Sequence, residues 1–320
     1  MRRSSVLLLS AGALLFIALI LSHGIASVTA TLALAGWGIV LVALFHLIPL
    51  VFDAAAISVL FPLNQSRASW HDAVWARWLG ESANSLMPFG QIAGPVVMAR
   101  SLWRRGLPLH DAVAAITVST TLQAFAQLAF ALVGIALLGL HAQLHLSNAL
   151  TLAVAVAGAV LSVTCGAFYL LQRHGLFARA LRIVSRISGR HSWSSLLEKA
   201  EAIDIAIRAA RDSPRASACF WLNLLGWIVG TGEVYLILRL LSAPLNWSIA
   251  LLLESVGQAI RGVAFAIPGA LGVQEGGYLL LAPLAGLTPD TALALSLAKR
   301  AREILLGVPG LIVFHLSERH

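Results

Sequence analysis

Glu254, Gln258 and Arg261 are spaced i, i+4, i+7, which puts a carboxylate, an amide and a guanidinium on one face of a helix. Downstream, Lys299, Arg300, Arg302 and Glu303 interrupt the apolar run "SLAKRAREILL", and Glu275 sits in "IPGALGVQEGGYLLL". Upstream, Arg77 and Glu81 form an i, i+4 pair, followed by Asn84 and Gln91. Such groups can do three things. Arg and Glu can pair and fasten helices together. Arg can grip a phosphate through two parallel hydrogen bonds. A carboxylate within a membrane can carry a proton.

The surroundings make these residues unusual. Hydrophobic residues make up 59% of the 320-residue chain and charged residues 11%, with a mean hydropathy of +0.86. Soluble domains carry about 25% charged residues, so the composition implies an integral membrane protein. A charge in hydrocarbon costs about 2.5–3.5 kcal/mol on insertion scales. A single Glu–Arg pair reads as a fastener. For the whole cluster that reading is weaker, because apolar packing would hold the helices at lower cost. Six or more ionisable groups point to a hydrated chamber that tolerates both signs of charge.

Catalysis has less support. The chain contains no G-x-x-x-x-G-K-[ST] phosphate loop, no H-E-x-x-H and no clustered Cys and His. No activated nucleophile stands out. The expectation is a protein that is not an enzyme and needs no cofactor or metal. His46, inside an apolar run, reads as a packing or hydrogen-bonding residue, and Glu233 as a structural one. Cys165 and Cys219, the two cysteines, lie in apolar runs and read as packing residues.

Apolar runs able to span a bilayer are 6–22, 32–61, 112–140, 149–171, 216–241 and 291–316. The first, after Arg2 and Arg3, is read as a retained helix rather than a cleaved signal. Basic and Arg/Lys-free loops alternate along the chain, which places both termini in the cytoplasm. The net charge of +8 fits cytoplasmic loops facing anionic lipid rather than nucleic acid. Segment 172–215 holds nine basic residues. Arg179, Arg182, Arg186 and Arg190 recur at helical spacing, as do Leu196, Ala200, Ile203 and Ile207, so one or two amphipathic helices on the inner surface are expected.

Two stretches, about 73–105 and 248–285, are apolar yet broken by Pro, Gly and charged side chains. Irregular backbone survives in a bilayer only inside protein or beside a wet cavity, so each is expected to form a re-entrant hairpin. Pro88 and Gly90 would shape the first; Pro268, Gly269, Gly272 and Gly276 would shape the second. The stretches resemble each other. Glu-Ser opens both, and Pro88 precedes Gly106 by the same 18 residues that separate Pro268 from Gly286. Three intervening spans would make the hairpins enter from opposite faces, as in inverted-repeat transporters. The expected fold is therefore a single all-α membrane domain over 1–320, with about six spans and two oppositely oriented hairpins.

"AIPGALGVQEGG" followed by "ALSLAKRAREILLGVPG" resembles the flippase-like, lysylphosphatidylglycerol-synthase transmembrane-region family. Within it, the likeness is to the hopanoid-biosynthesis-associated HpnL-type membrane proteins. "ARWLGESANSLMPFGQIAG" resembles that group's first hairpin. The resemblance implies a bacterial inner-membrane protein that moves lipids between leaflets. It points to Glu81, Asn84, Pro88 and Gln91, to Glu254, Arg261, Pro268, Gly272, Glu275 and Gly276, and to Lys299, Arg300 and Glu303. Members that transfer an aminoacyl group carry a large soluble catalytic domain, which this sequence lacks, so lysyl-lipid synthesis does not follow. The expected partners are membrane lipids, a hopanoid or an anionic phospholipid, with a second copy or lipid-biosynthesis enzymes as further candidates. An ion-coupled carrier of a small solute and an intramembrane lipid-modifying enzyme remain as alternatives.

Overall fold

The computed structural model describes residues 33–62, 68–87, 92–141, 173–188, 194–243, 246–264 and 267–317, with scattered positions (30, 159, 162, 163, 166, 167 and 169–171) besides. The expected first span, 6–22, lies outside the described residues, as do Cys165, Pro88, Gly90 and Gln91. Of 149–171 only the scattered positions are described.

Among the described residues the regular elements are all helical. Three are long and apolar enough to cross a membrane. These are α1 (Gly38–Ser58), α4 (Leu109–His141, apolar as far as Gly134) and α7 (Arg215–Leu240). They match three of the expected runs. The fourth described run, α10 (Pro289–Ser317), has the length, but Lys299, Arg300, Arg302 and Glu303 interrupt its apolar character. Away from the helix ends the large outward side chains include apolar ones on each of these four helices: Leu41 and Leu44 on α1, Leu132 and Val133 on α4, Trp221 and Leu225 on α7, and Ile304 and Val308 on α10 are all exposed. Water does not suit such faces, and acyl chains do.

Small residues set the packing where α1 meets α7. A Cβ on Gly232 would lie 2.5 Å from the Phe45 ring, and one on Gly226 would lie 3.1 Å from Asp53 Oδ1. Gly230, between them, meets nothing within 4 Å and opens onto a cavity. Only a glycine-poor face would force these helices apart.

The first broken stretch forms α2 (Trp70–Leu86) and α3 (Ala93–Arg104). Asp72, in the first turn of α2, accepts hydrogen bonds from the Ser69 N–H and Oγ, each at 2.8 Å. It also pairs with Arg105 at 2.8 Å. Burial opposes its ionisation, but these bonds outweigh it and hold the carboxyl below its usual range. The two helices fold back on each other, with Gly80 against Met98 and the Gly94 N–H donated to Asn84 Oδ1 at 2.7 Å. At 12 residues, α3 is about 18 Å long, short of a roughly 30 Å hydrocarbon core.

Segment 172–215 supplies two helices, α5 (Leu176–Ser188) and α6 (Ser194–Arg211). Asp204 of α6 accepts the Phe177 and Ala178 N–H groups at 3.1 and 2.8 Å, satisfying orphan donors at the start of α5. Ala200 and Ile207, expected on one face, are buried, and α6 packs against α4.

The second broken stretch forms α8 (Trp247–Val263), a 3₁₀ turn (Pro268–Ala270) and α9 (Val273–Leu281). Gly269 and Gly272 take φ of +60° and +76°, left-handed values that glycine adopts without strain. At nine residues α9 is about 14 Å long. Two apolar cores flank the centre of the molecule. One gathers α7, α8, α9 and α10 around Val234, Leu253, Tyr278 and Leu295. The other gathers α1 to α4 and α6 around Ala54, Ala76, Leu102 and Ile207.

Candidate functional site: a buried charge network around a cavity

Between those cores the helices turn their charged residues inward. His46 and Asp53 lie seven apart, two turns of α1, so they share a face. Lys299, Arg302 and Glu303 share a face of α10 at i, i+3, i+4, while Arg300 projects to the side, toward α9.

The pairs form one connected network. Nζ of Lys299, whose side chain is 1% exposed, reaches Glu254 at 2.6 Å and Glu233 at 3.8 Å. Arg302 reaches Glu81 at 3.1 Å and Glu233 at 3.3 Å. Arg261 binds Glu303 at 2.5 Å and Gln274 Oε1 at 3.1 Å. Arg77 binds Asp53 at 2.6 Å, and Gln123 donates to Asp53 at 3.0 Å. Glu254 also accepts from Gln258 at 2.8 Å, as the helical spacing anticipates. By contrast, Arg77 and Glu81, an i, i+4 pair in sequence, each find a partner on another helix.

His46 is the hinge of the network. Its Nε2 lies 2.6 Å from Glu81 Oε1 and its Nδ1 lies 2.6 Å from Glu233 Oε2. A neutral imidazole has one N–H to give, whereas the protonated ring gives two. Arg302 Nη1, 3.0 Å from the same Nε2, opposes that proton. Six acids, Asp53, Glu81, Glu233, Glu254, Glu275 and Glu303, face five fixed cations, Arg77, Arg261, Lys299, Arg300 and Arg302, so one proton on His46 or on one of the carboxylates balances the network.

Arg300 does something different. Its guanidinium donates to the Gly269 and Ala270 carbonyls and to Glu275, the last at 3.1 Å. Glu275 in turn accepts the Gly272 N–H at 2.7 Å and the Ser296 hydroxyl at 2.9 Å. The irregular backbone at the 3₁₀ turn is thus satisfied by side chains, the condition under which non-helical backbone persists in a membrane. Gly276 continues α9 with an ordinary bond to the Gly272 carbonyl at 2.9 Å.

The network borders a cavity of about 220 Å³. Glu81, Asn84, Glu254, Gln258, Arg261 and Glu303 line it, together with Gly269. Lys299, Arg300 and Glu275 stand behind its wall. Arg77 and Arg302 of the charged cluster also line it, and so do Asp53, His46 and Glu233, the last two of which sequence had given structural roles. Arg77 Nε and Trp227 Nε1, on two of the lining residues, are buried without a hydrogen-bond partner among the described residues.

Sequence spacing could have found part of what it missed. His46 and Asp53 are the polar pair on one face of an otherwise apolar run, and Glu233 is the acid of 216–241. No local signal tells that His46 and Glu233 meet Arg302, more than 60 residues on from the nearer of them, or that Asp53 meets Arg77 of α2.

Long apolar helices with lipid-suited faces, enclosing a buried charged cavity, define an integral membrane protein. The family model of the lysylphosphatidylglycerol synthase TM region matches residues 5–310, and the chain belongs to that family. Neither a curated protein nor a solved structure matches it.

Proposed function

We propose that the protein moves lipids between the leaflets of a bacterial inner membrane, the polar head crossing through the charged cavity while the tail stays in the bilayer. The observation that carries this reading is the cavity itself: a wall of both signs inside a chain whose outer faces are apolar. Family membership adds a link to membrane lipid. The broken segments α2–α3 and α8–α9 are read as re-entrant hairpins entering from opposite faces, with both termini cytoplasmic. Short helices and glycine turns at the cavity would let them rock alternately.

Every arginine of the network has a carboxylate partner. A phosphate head would therefore bind by displacing Glu303 from Arg261. A hopanoid or a phospholipid head is the substrate we favour, and the His46 bridge offers a proton to couple. The step is movement without bond chemistry.

The test is reconstitution in liposomes with fluorescent phospholipid or hopanoid analogues. Wild type should accelerate translocation over empty vesicles, and Arg261→Gln should abolish most of the gain. Equal rates in all three would overturn the proposal for those lipids. A carrier of a small polar solute is the second reading, favoured by the cavity's size, below the 300–1,000 Å³ usual for drug-sized ligands. Uptake of labelled solute with no lipid movement would select it.

A further inference from the structure

A second, apolar groove of about 530 Å³ opens between α1, α2 and α10. Leu47, Val74, Trp75, Trp78, Leu305 and Pro309 line it. A narrow gap of about 10 Å³, close to the room one water needs, lies between it and the charged cavity. Glu81 and Arg302 border both the gap and the cavity; Trp78 and Leu306 border both the gap and the groove. The Trp78 indole N–H donates to the Leu306 carbonyl at 3.0 Å, tying α2 to α10 across this neck. Pro309 has no N–H for the Leu305 carbonyl, so the helical ladder of α10 is already interrupted beside it.

The geometry points to this groove as the seat of the hydrocarbon chain of the amphiphile whose head enters the charged cavity, with the Trp78–Leu306 bond as the latch at the portal. The inference rests on the translocation reading and deepens it. Continuity decides the occupant. The groove is apolar, it faces outward where Leu47 and Leu305 are exposed, and only the water-sized gap separates its inner end from Glu81 and Arg302. A purely apolar partner helix would not explain a polar inner end. Residues 6–22 of the same chain are the rival occupant.

Two measurements test this. In liposomes, Val74→Trp and, separately, Leu305→Trp should fill the groove. Each should slow translocation of a fluorescent phospholipid with two long chains by about tenfold. Each should leave a dihexanoyl analogue with the same head near its wild-type rate. If wild type moves neither lipid, the translocation reading fails. If wild type moves both and the filled variants move both unchanged, or slow both equally, the groove assignment is overturned.

Should the variants misfold, the wild-type protein in nanodiscs decides. A phosphatidylglycerol carrying a diazirine in one acyl chain should label 70–78 and 305–309 above the exposed α7 positions Trp221 and Leu225. Even labelling of all outward faces overturns the assignment, as does a disulfide formed readily between a cysteine placed in 6–22 and one at Val74.

Discussion

His46 Nδ1 and Glu233 Oε2 meet at 2.6 Å across α1 and α7, two helices that sequence reading had given no reason to join. Removing one partner of a buried ionic contact costs about 3–5 kcal/mol, because the other is left desolvated and uncompensated. His46→Ala should therefore lower stability strongly, by thermal unfolding in detergent. The double variant His46→Ala/Glu233→Gln should lose less than the sum of the singles, with a coupling of roughly 0.5–3 kcal/mol. Additive losses would show that the contact carries no shared energy.

Lys299 makes the same argument more severely, since its side chain is 1% exposed and its ammonium group lies 2.6 Å from Glu254. Lys299→Met should destabilise by about 3–5 kcal/mol. Adding Glu254→Gln should restore part of the loss, as replacing a buried pair by uncharged groups is often close to neutral. The yield of monodisperse protein on gel filtration and its unfolding midpoint would report both effects.

Arg300→Lys keeps the charge and loses the fork that reaches Gly269, Ala270 and Glu275 together. The expected result is faster amide hydrogen exchange at 267–276, with α1 and α7 unchanged, because the turn opens locally rather than globally. Unaltered exchange in that segment would remove the clamp from the account.

At the start of α2, Asp72→Asn should weaken the cap and the contact with Arg105, at a cost of about 1 kcal/mol. The sign with pH follows from the lowered carboxyl pKa of Asp72. Its stabilisation is complete above the unfolded value near 3.9 and is lost as pH falls through the folded value. Wild type and variant should thus converge in melting temperature under strong acid and differ at neutral pH.

The elements that sequence disclosed were those dictated by local physics. The runs 32–61, 112–140, 216–241 and 291–316 reappear as α1, α4, α7 and α10 because twenty-odd apolar residues have few other options. The breaks near Pro88 and Pro268 likewise mark where α2 ends and where the 3₁₀ turn stands. Within the site, Gln258–Glu254 and Arg300–Glu303 follow from helical spacing. Partners far apart in the chain did not. Helix periodicity gives each residue a direction but not the helix it will face, so Arg302–Glu81 and Lys299–Glu254 needed coordinates. His46 looked solitary in an apolar run, and its two carboxylates come from α2 and α7.

The four charges in the middle of α10 also bear on how the protein can be made. Each would oppose partition of an isolated helix into lipid by about 2.5–3.5 kcal/mol. Yet the groups that neutralise them across helices, Glu81, Glu233, Glu254 and Glu275 for the three cations and Arg261 for Glu303, all precede α10 in the chain. When the ribosome releases this segment, its counter-ions have already been synthesised and can be waiting in place. A circular permutant that begins with α10 would present the same helix to the translocon with none of them, and should be secreted past the membrane or degraded.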